Sequence, residues 1–86
     1  MNKVFSDIAW EDYTRWLIED KKIVKKINDI IKDIERNGYN GIGKPEALRH
    51  ELAGYWSRRI TDKDRLIYKI EDATIYILSC KGHYND

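Results

Sequence analysis

Between residues 22 and 36 isoleucine recurs at positions 23, 27, 30, 31 and 34, a spacing that gathers the five side chains into one stripe only if the segment is helical. Such a helix must lie against an apolar surface, which the rest of the chain has to provide. Asp20 stands where a capping oxygen would accept the first free amides, and Gly38 stands where left-handed backbone ends a helix. The opposite face carries Lys22, Lys25, Lys26, Lys32 and Arg36 among Asp29, Asp33 and Glu35. That mixture reads either as a solvated surface or as a face that meets RNA.

Ahead of this stripe, Lys3-Val4-Phe5 is a short strand candidate, and Ser6 with Asp7 supplies the cap and early negative charge of another helix. Within residues 8–18, Ala9, Tyr13, Trp16 and Leu17 form its expected apolar stripe. Beyond Gly38 the pattern changes. Gly41, Gly43 and Pro45 mark an irregular connection, and residues 48–52, 55–61, 65–71 and 74–80 then alternate or are β-branched, separated by turn residues. Helices first and strands afterwards predict an α+β fold, with two N-terminal helices packed on one face of a twisted, mainly antiparallel β-sheet. A chain of 86 residues with 42% hydrophobic content builds one core, so a single domain over residues 1–86 is expected.

Charge gives little direction by itself, because 16 Lys and Arg nearly balance 15 Asp and Glu. Its placement says more. If Asp62-Lys63-Asp64 is a three-residue hairpin loop, Arg59 faces Ile67 and Thr61 faces Arg65, which sets Arg59 and Arg65 on the sheet face away from the helices. Two neighbouring guanidiniums call for an anion, either a phosphate or the carboxylates of Asp62, Asp64 or Glu51. Trp56 and Tyr68 fall on the helix-covered side as core residues, while Tyr55 can belong to either side. Cys80 reads as a packed strand residue and, being single, forms no internal disulfide. His50 and His83 lack a zinc-ligand spacing, so neither a metal nor another cofactor is expected. His50 alternates with Leu48 and Leu52 as a partly buried strand residue. His83 is a tail residue, free or in contact with a substrate. The polar N-terminal segment argues against a secretion signal or membrane span and for a cytoplasmic protein.

Gly43-Lys44-Pro45-Glu46, Leu48-Arg49-His50, Trp56-Ser57-Arg58-Arg59-Ile60, Arg65-Leu66-Ile67-Tyr68 and His83-Tyr84 together resemble the YoeB family of the RelE superfamily. The likeness extends into Trp10-Glu11-Asp12-Tyr13 and the segment from Ile23 to Asn28. It implies a toxin that cuts messenger RNA in the ribosomal A site and is inhibited by a cognate YefM-like antitoxin. Matching positions imply a catalytic set of Glu46, Arg65, His83 and Tyr84, with Arg59, Lys44 and His50 supporting RNA binding. Family members often act as homodimers. This chain continues through Asn85-Asp86 where the family commonly finishes at the His-Tyr pair.

Cutting RNA without a metal requires a base for the ribose 2′-hydroxyl, an acid for the departing 5′-oxygen and positive charge at the phosphate. Those roles fall to Glu46, His83 and Arg65, with Tyr84 orienting the nucleotide. A carboxylate is a weak base in water and works better where bound RNA displaces that water. Two other classes fit the same residues. One is a non-catalytic ribosome- or RNA-binding module that uses the basic residues alone, and the other is a protein-interaction domain that receives a disordered acidic partner.

Overall fold

The computed structural model describes residues 1–83. Its elements run β1 (Asn2–Phe5), α1 (Asp7–Glu19), α2 (Lys21–Asn37), β2 (Glu46–Ala47), a 3-10 turn (His50–Leu52), β3 (Trp56–Arg59), β4 (Arg65–Glu71) and β5 (Thr74–Ser79). The strands form one sheet in the order β1-β5-β4-β3-β2, with β1 parallel to β5 and every other pairing antiparallel. This is the α+β arrangement expected from the order of periodicities. No helix among the described residues is long and apolar enough to cross a membrane.

The local signals act as read. Ser6 Oγ accepts the Ala9 amide at the start of α1, and Asp20 Oδ1 accepts the Lys22 amide at the start of α2. Gly38, at φ 66°, ends α2 by donating its N–H to the Ile34 carbonyl. Val24, Ile27, Ile30, Ile31 and Ile34 are buried against Leu66, Tyr68, Ile75 and Ile77 of the sheet. Each such side chain contributes ~1.5–3 kcal/mol relative to leaving it in water. On α1, Ala9 and Trp16 are buried but Leu17 is 42% exposed, so the stripe is narrower than its spacing suggested.

Two expectations require correction. Residues 48–52 do not form a strand. β2 ends at Ala47, and His50, at φ 54°, opens a 3-10 turn in which Leu52 and Ala53 donate to the carbonyls of Arg49 and His50. Left-handed backbone cannot continue a ladder, so the alternation of Leu48, His50 and Leu52 carries no strand. The β3–β4 register also differs. The connection spans residues 60–64, closed by the Ile60 and Thr61 amides on the Asp64 carbonyl, and Arg59 therefore pairs directly with Arg65 rather than Ile67. Cross-strand partners share a face, so both arginines still point away from the helices.

Arg58 projects the other way and is fully buried. Its Nη1 donates to Asp33 Oδ2 at 2.6 Å and to the Ile42 carbonyl, its Nη2 donates to the Gly38 and Asn40 carbonyls, and its Nε meets Tyr68 Oη at 3.1 Å. Asp33 also accepts the Ile42 amide and the Asn37 side-chain amide. Charge-assisted hydrogen bonds of this kind hold a buried guanidinium where solvent cannot. The pair fixes the irregular connection after α2 onto β3, which positions Gly43 and Lys44 for the site.

Candidate active site

The face of the sheet away from the helices is built by strand alternation. Trp56 and Arg58 turn inward, so Ser57 and Arg59 turn outward, and Glu46, opposite Ser57, shares that face. On β4, Leu66 and Tyr68 enter the core while Arg65 and Ile67 face outward. Glu46 and Arg65 are thus two strands and two residues apart, about 12 Å between Cα atoms at ordinary sheet spacings.

Arg59 is exposed and Arg65 is buried at 8% exposure. The carboxylate reading of their environment fails: none of the ion pairs among the described residues involves either arginine. Arg65 Nη1 instead donates to the carbonyls of Thr61, Asp62 and Asp64 at 2.9, 3.1 and 3.2 Å. Neutral carbonyls fix the guanidinium without cancelling its charge.

His83 follows a tethered segment. The Cys80 amide donates to Asp12 Oδ2, the Cys80 carbonyl accepts the Trp16 indole N–H at 2.9 Å, and Lys81 pairs with Glu19. One residue later, the Arg65 amide donates to the Gly82 carbonyl at 3.0 Å, and the Gly82 amide donates to Asp64 Oδ1 at 2.8 Å. The exposed His83 is therefore attached to backbone bonded to Arg65 itself. Cys80 is fully buried, and that burial, with the nearby Asp12 charge, pushes its thiol up to about 12.

Lys44 is exposed at φ 50°, directly after Gly43, whose carbonyl accepts the Arg59 amide at 2.6 Å. A Cβ at Gly43 would lie 3.0 Å from the Arg59 carbonyl on backbone at φ 82°, so a side chain there would be both crowded and strained. Backbone pairing thus links Lys44, Arg59, Arg65 and the segment leading to His83, and Glu46 lies on the same sheet face at its edge. His50 sits apart on the turn beyond β2, exposed rather than partly buried in a strand. Tyr84 lies outside the described residues.

The profile of the YoeB-like toxin of bacterial type II toxin-antitoxin systems matches residues 5–84. The chain belongs to the YoeB family. It is 50% identical over 84 residues to Toxin YoeB of an Escherichia coli O6:H1 strain, covering 98% of this chain and 100% of the relative. A YoeB–YefM heterotetramer from Staphylococcus aureus contains a chain 53% identical to this one, with a TM-score of 0.92 and 98% of each chain covered. A YoeB dimer from the same species matches with the same identity, score and coverage.

Within this YoeB-family chain, three groups of residues play parts that the sequence reading did not give them. Asp64 bonds both the Gly82 amide and, through its carbonyl, Arg65. Asp12 and Trp16 hold Cys80 from α1. Leu48 and Ile67 are buried but lie outside the main hydrophobic cluster. Asp64 alone carried a signal, being one of the carboxylates weighed as partners for the arginines. Trp16 and Asp12 are joined to the tail over more than sixty residues of sequence, which no local pattern encodes.

Proposed function

We propose that this toxin is a ribosome-dependent endoribonuclease that cleaves messenger RNA in the ribosomal A site without a metal, by general acid–base attack of the ribose 2′-hydroxyl. The observation that supports the reading is the hydrogen bond between the Arg65 amide and the carbonyl of Gly82, which ties the backbone of Arg65 to the residue before His83. In this mechanism Glu46 takes the 2′-hydroxyl proton, the 2′-oxygen attacks phosphorus, Arg65 stabilises the crowded phosphate, and His83 protonates the departing 5′-oxygen. Tyr84 orients the nucleotide, while Arg59, Lys44 and His50 hold neighbouring RNA. The ribosome supplies the in-line geometry and water exclusion that a shallow sheet face lacks.

Solved YoeB proteins that form a YefM complex and a dimer support two further parts of the proposal: neutralisation by a YefM-like antitoxin and action as a homodimer. The site of action is the cytoplasm, where ribosomes engage messenger RNA. The test maps new 5′ ends on a defined messenger RNA in a purified translation system, with and without ribosomes, for wild type and His83→Gln. Cleavage that requires ribosomes and falls at least ~100-fold in the variant is expected for a general acid. Ribosome binding without new ends would replace the nuclease with a binding module, and unchanged cutting by His83→Gln would remove His83 from the acid role.

A further inference from the structure

We infer that Asp64 is a positioning residue for the reaction, holding the backbone before His83 in register with Arg65; the assignment rests on the nuclease reading. Asp64 touches both groups. Its carboxylate accepts the Gly82 amide at 2.8 Å through Oδ1, and its backbone carbonyl accepts Arg65 Nη1 at 3.2 Å. The residue is itself held in place. Thr61 Oγ1 donates to Asp64 Oδ2 at 2.8 Å and accepts the amides of Lys63 and Asp64, while the Ile60 and Thr61 amides close on the Asp64 carbonyl. A side chain tied at both oxygens is a rigid anchor.

The tail needs such an anchor because of what precedes His83. Gly82 adopts φ 86°, and nothing lies within 4 Å of where a Cβ would stand, so its conformation is held by backbone hydrogen bonds and not by side-chain packing. The tethers from Asp12 and Trp16 act on Cys80, two residues earlier. Among the described residues, Gly82 itself is held by the Asp64 carboxylate and the Arg65 amide, and both come from the end of the same loop. Displacing a reacting group by ~1 Å costs up to about 100-fold in rate. Losing the Asp64 carboxylate removes one of the two hydrogen bonds that hold the Gly82 backbone, so the cost falls on turnover, not on ribosome binding.

Position and charge are separable here. Asn keeps an oxygen for the Gly82 amide at nearly the same place without the charge, whereas Glu keeps the charge and moves the oxygens by one methylene. The test measures single-turnover cleavage on ribosomes stalled with a defined codon in the A site, for wild type and the Asp64→Ala, Asp64→Asn and Asp64→Glu variants. Hydrogen exchange at the Gly82 amide is read in parallel. Positioning predicts a ~10- to 100-fold lower maximal rate for Ala and Glu, a half-saturating ribosome concentration within about 2-fold of wild type, and recovery to within ~3-fold by Asn. Gly82 exchange should accelerate in Ala and stay slow in Asn. If Ala fails to fold, the contrast between Asn and Glu decides alone. Ala cutting as fast as a cutting wild type, or Asn as slow as Ala, overturns the assignment to Asp64 only. A wild type that cuts nothing on ribosomes overturns the nuclease reading and this assignment with it.

Discussion

Removing Asp33 should cost this small protein a large part of its stability, because it strands a charge that cannot reach water. Arg58 is 0% exposed, and its Nη1 lies 2.6 Å from the Asp33 carboxylate, whose side chain retains 15% exposure. In Asp33→Ala the guanidinium keeps the carbonyls of Gly38, Asn40 and Ile42 but loses its counter-charge, and the Ile42 amide loses its acceptor. Breaking one side of a buried pair costs ~3–5 kcal/mol. Partial exposure of Asp33 places the expectation near the lower end, about 3 kcal/mol. A domain of this size has ~4–13 kcal/mol in total, so the midpoint of thermal unfolding should fall by roughly 12–24 °C. Urea unfolding followed by tryptophan fluorescence at pH 7 measures the loss, and a value under ~1 kcal/mol would refute the reasoning. The sign of the pH dependence gives a second handle. The Arg58 hydrogen bond, above all, holds the Asp33 carboxyl below its ordinary value of 3.8. The stabilisation is therefore complete above that value and disappears as pH falls through the depressed one. Wild type should lose stability in that acid window to a degree that Asp33→Ala does not. Replacing both partners, as Asp33→Leu with Arg58→Met, should recover only part of the loss, because no buried charge is left behind but the carbonyls of Gly38, Asn40 and Ile42 lose their donor.

Cys80, with its thiol raised to about 12 by burial, should resist alkylation by iodoacetamide at pH 8 until the chain unfolds in denaturant; rapid labelling of the native protein would contradict its placement. Gly43→Ala combines a φ of 82° with a Cβ 3.0 Å from the Arg59 carbonyl and should cost about 2–4 kcal/mol. Gly54→Ala, at φ 96° in open space, should cost only about 1–2 kcal/mol, and equal costs in urea unfolding would remove the role given to the Gly43 approach.

Local features were legible wherever neighbouring residues suffice to specify them. The isoleucine stripe of α2, its Asp20 cap and its Gly38 stop lie within one stretch of chain, and all three behave as their chemistry dictates. Strand alternation also sorted Trp56 and Tyr68 from Arg59 and Arg65 correctly. It failed at residues 48–52, where an alternating pattern conceals the left-handed backbone of His50. It failed again at the β3–β4 register, because the loop closes through the Asp64 carbonyl and the Thr61 hydroxyl and not through its shortest hairpin. The shared face of Arg59 and Arg65 survived that error, since both arginines still alternate away from buried neighbours. Nothing in the sequence pairs Arg58 with Asp33, its partner 25 residues earlier. The site was least legible at its C-terminal side. The resemblance suggested His83, but the tether from Asp12 and Trp16 to Cys80 and the anchor of Gly82 on Asp64 are long-range contacts without a sequence signature.

The most direct test of the proposed chemistry is to identify the ends it leaves. A ribosome stalled with a defined codon in the A site would be treated with the wild-type toxin, and both RNA fragments analysed by mass spectrometry. A control messenger would carry a single 2′-deoxy substitution at the cleaved nucleotide. Attack by the 2′-oxygen, with a proton delivered to the 5′-oxygen, requires a 2′,3′-cyclic phosphate or its opened 3′-phosphate on one fragment and a 5′-hydroxyl on the other. The deoxy messenger should remain intact at that position. A 3′-hydroxyl with a 5′-phosphate, cleavage of the deoxy substrate, or no fragments at all would contradict the account.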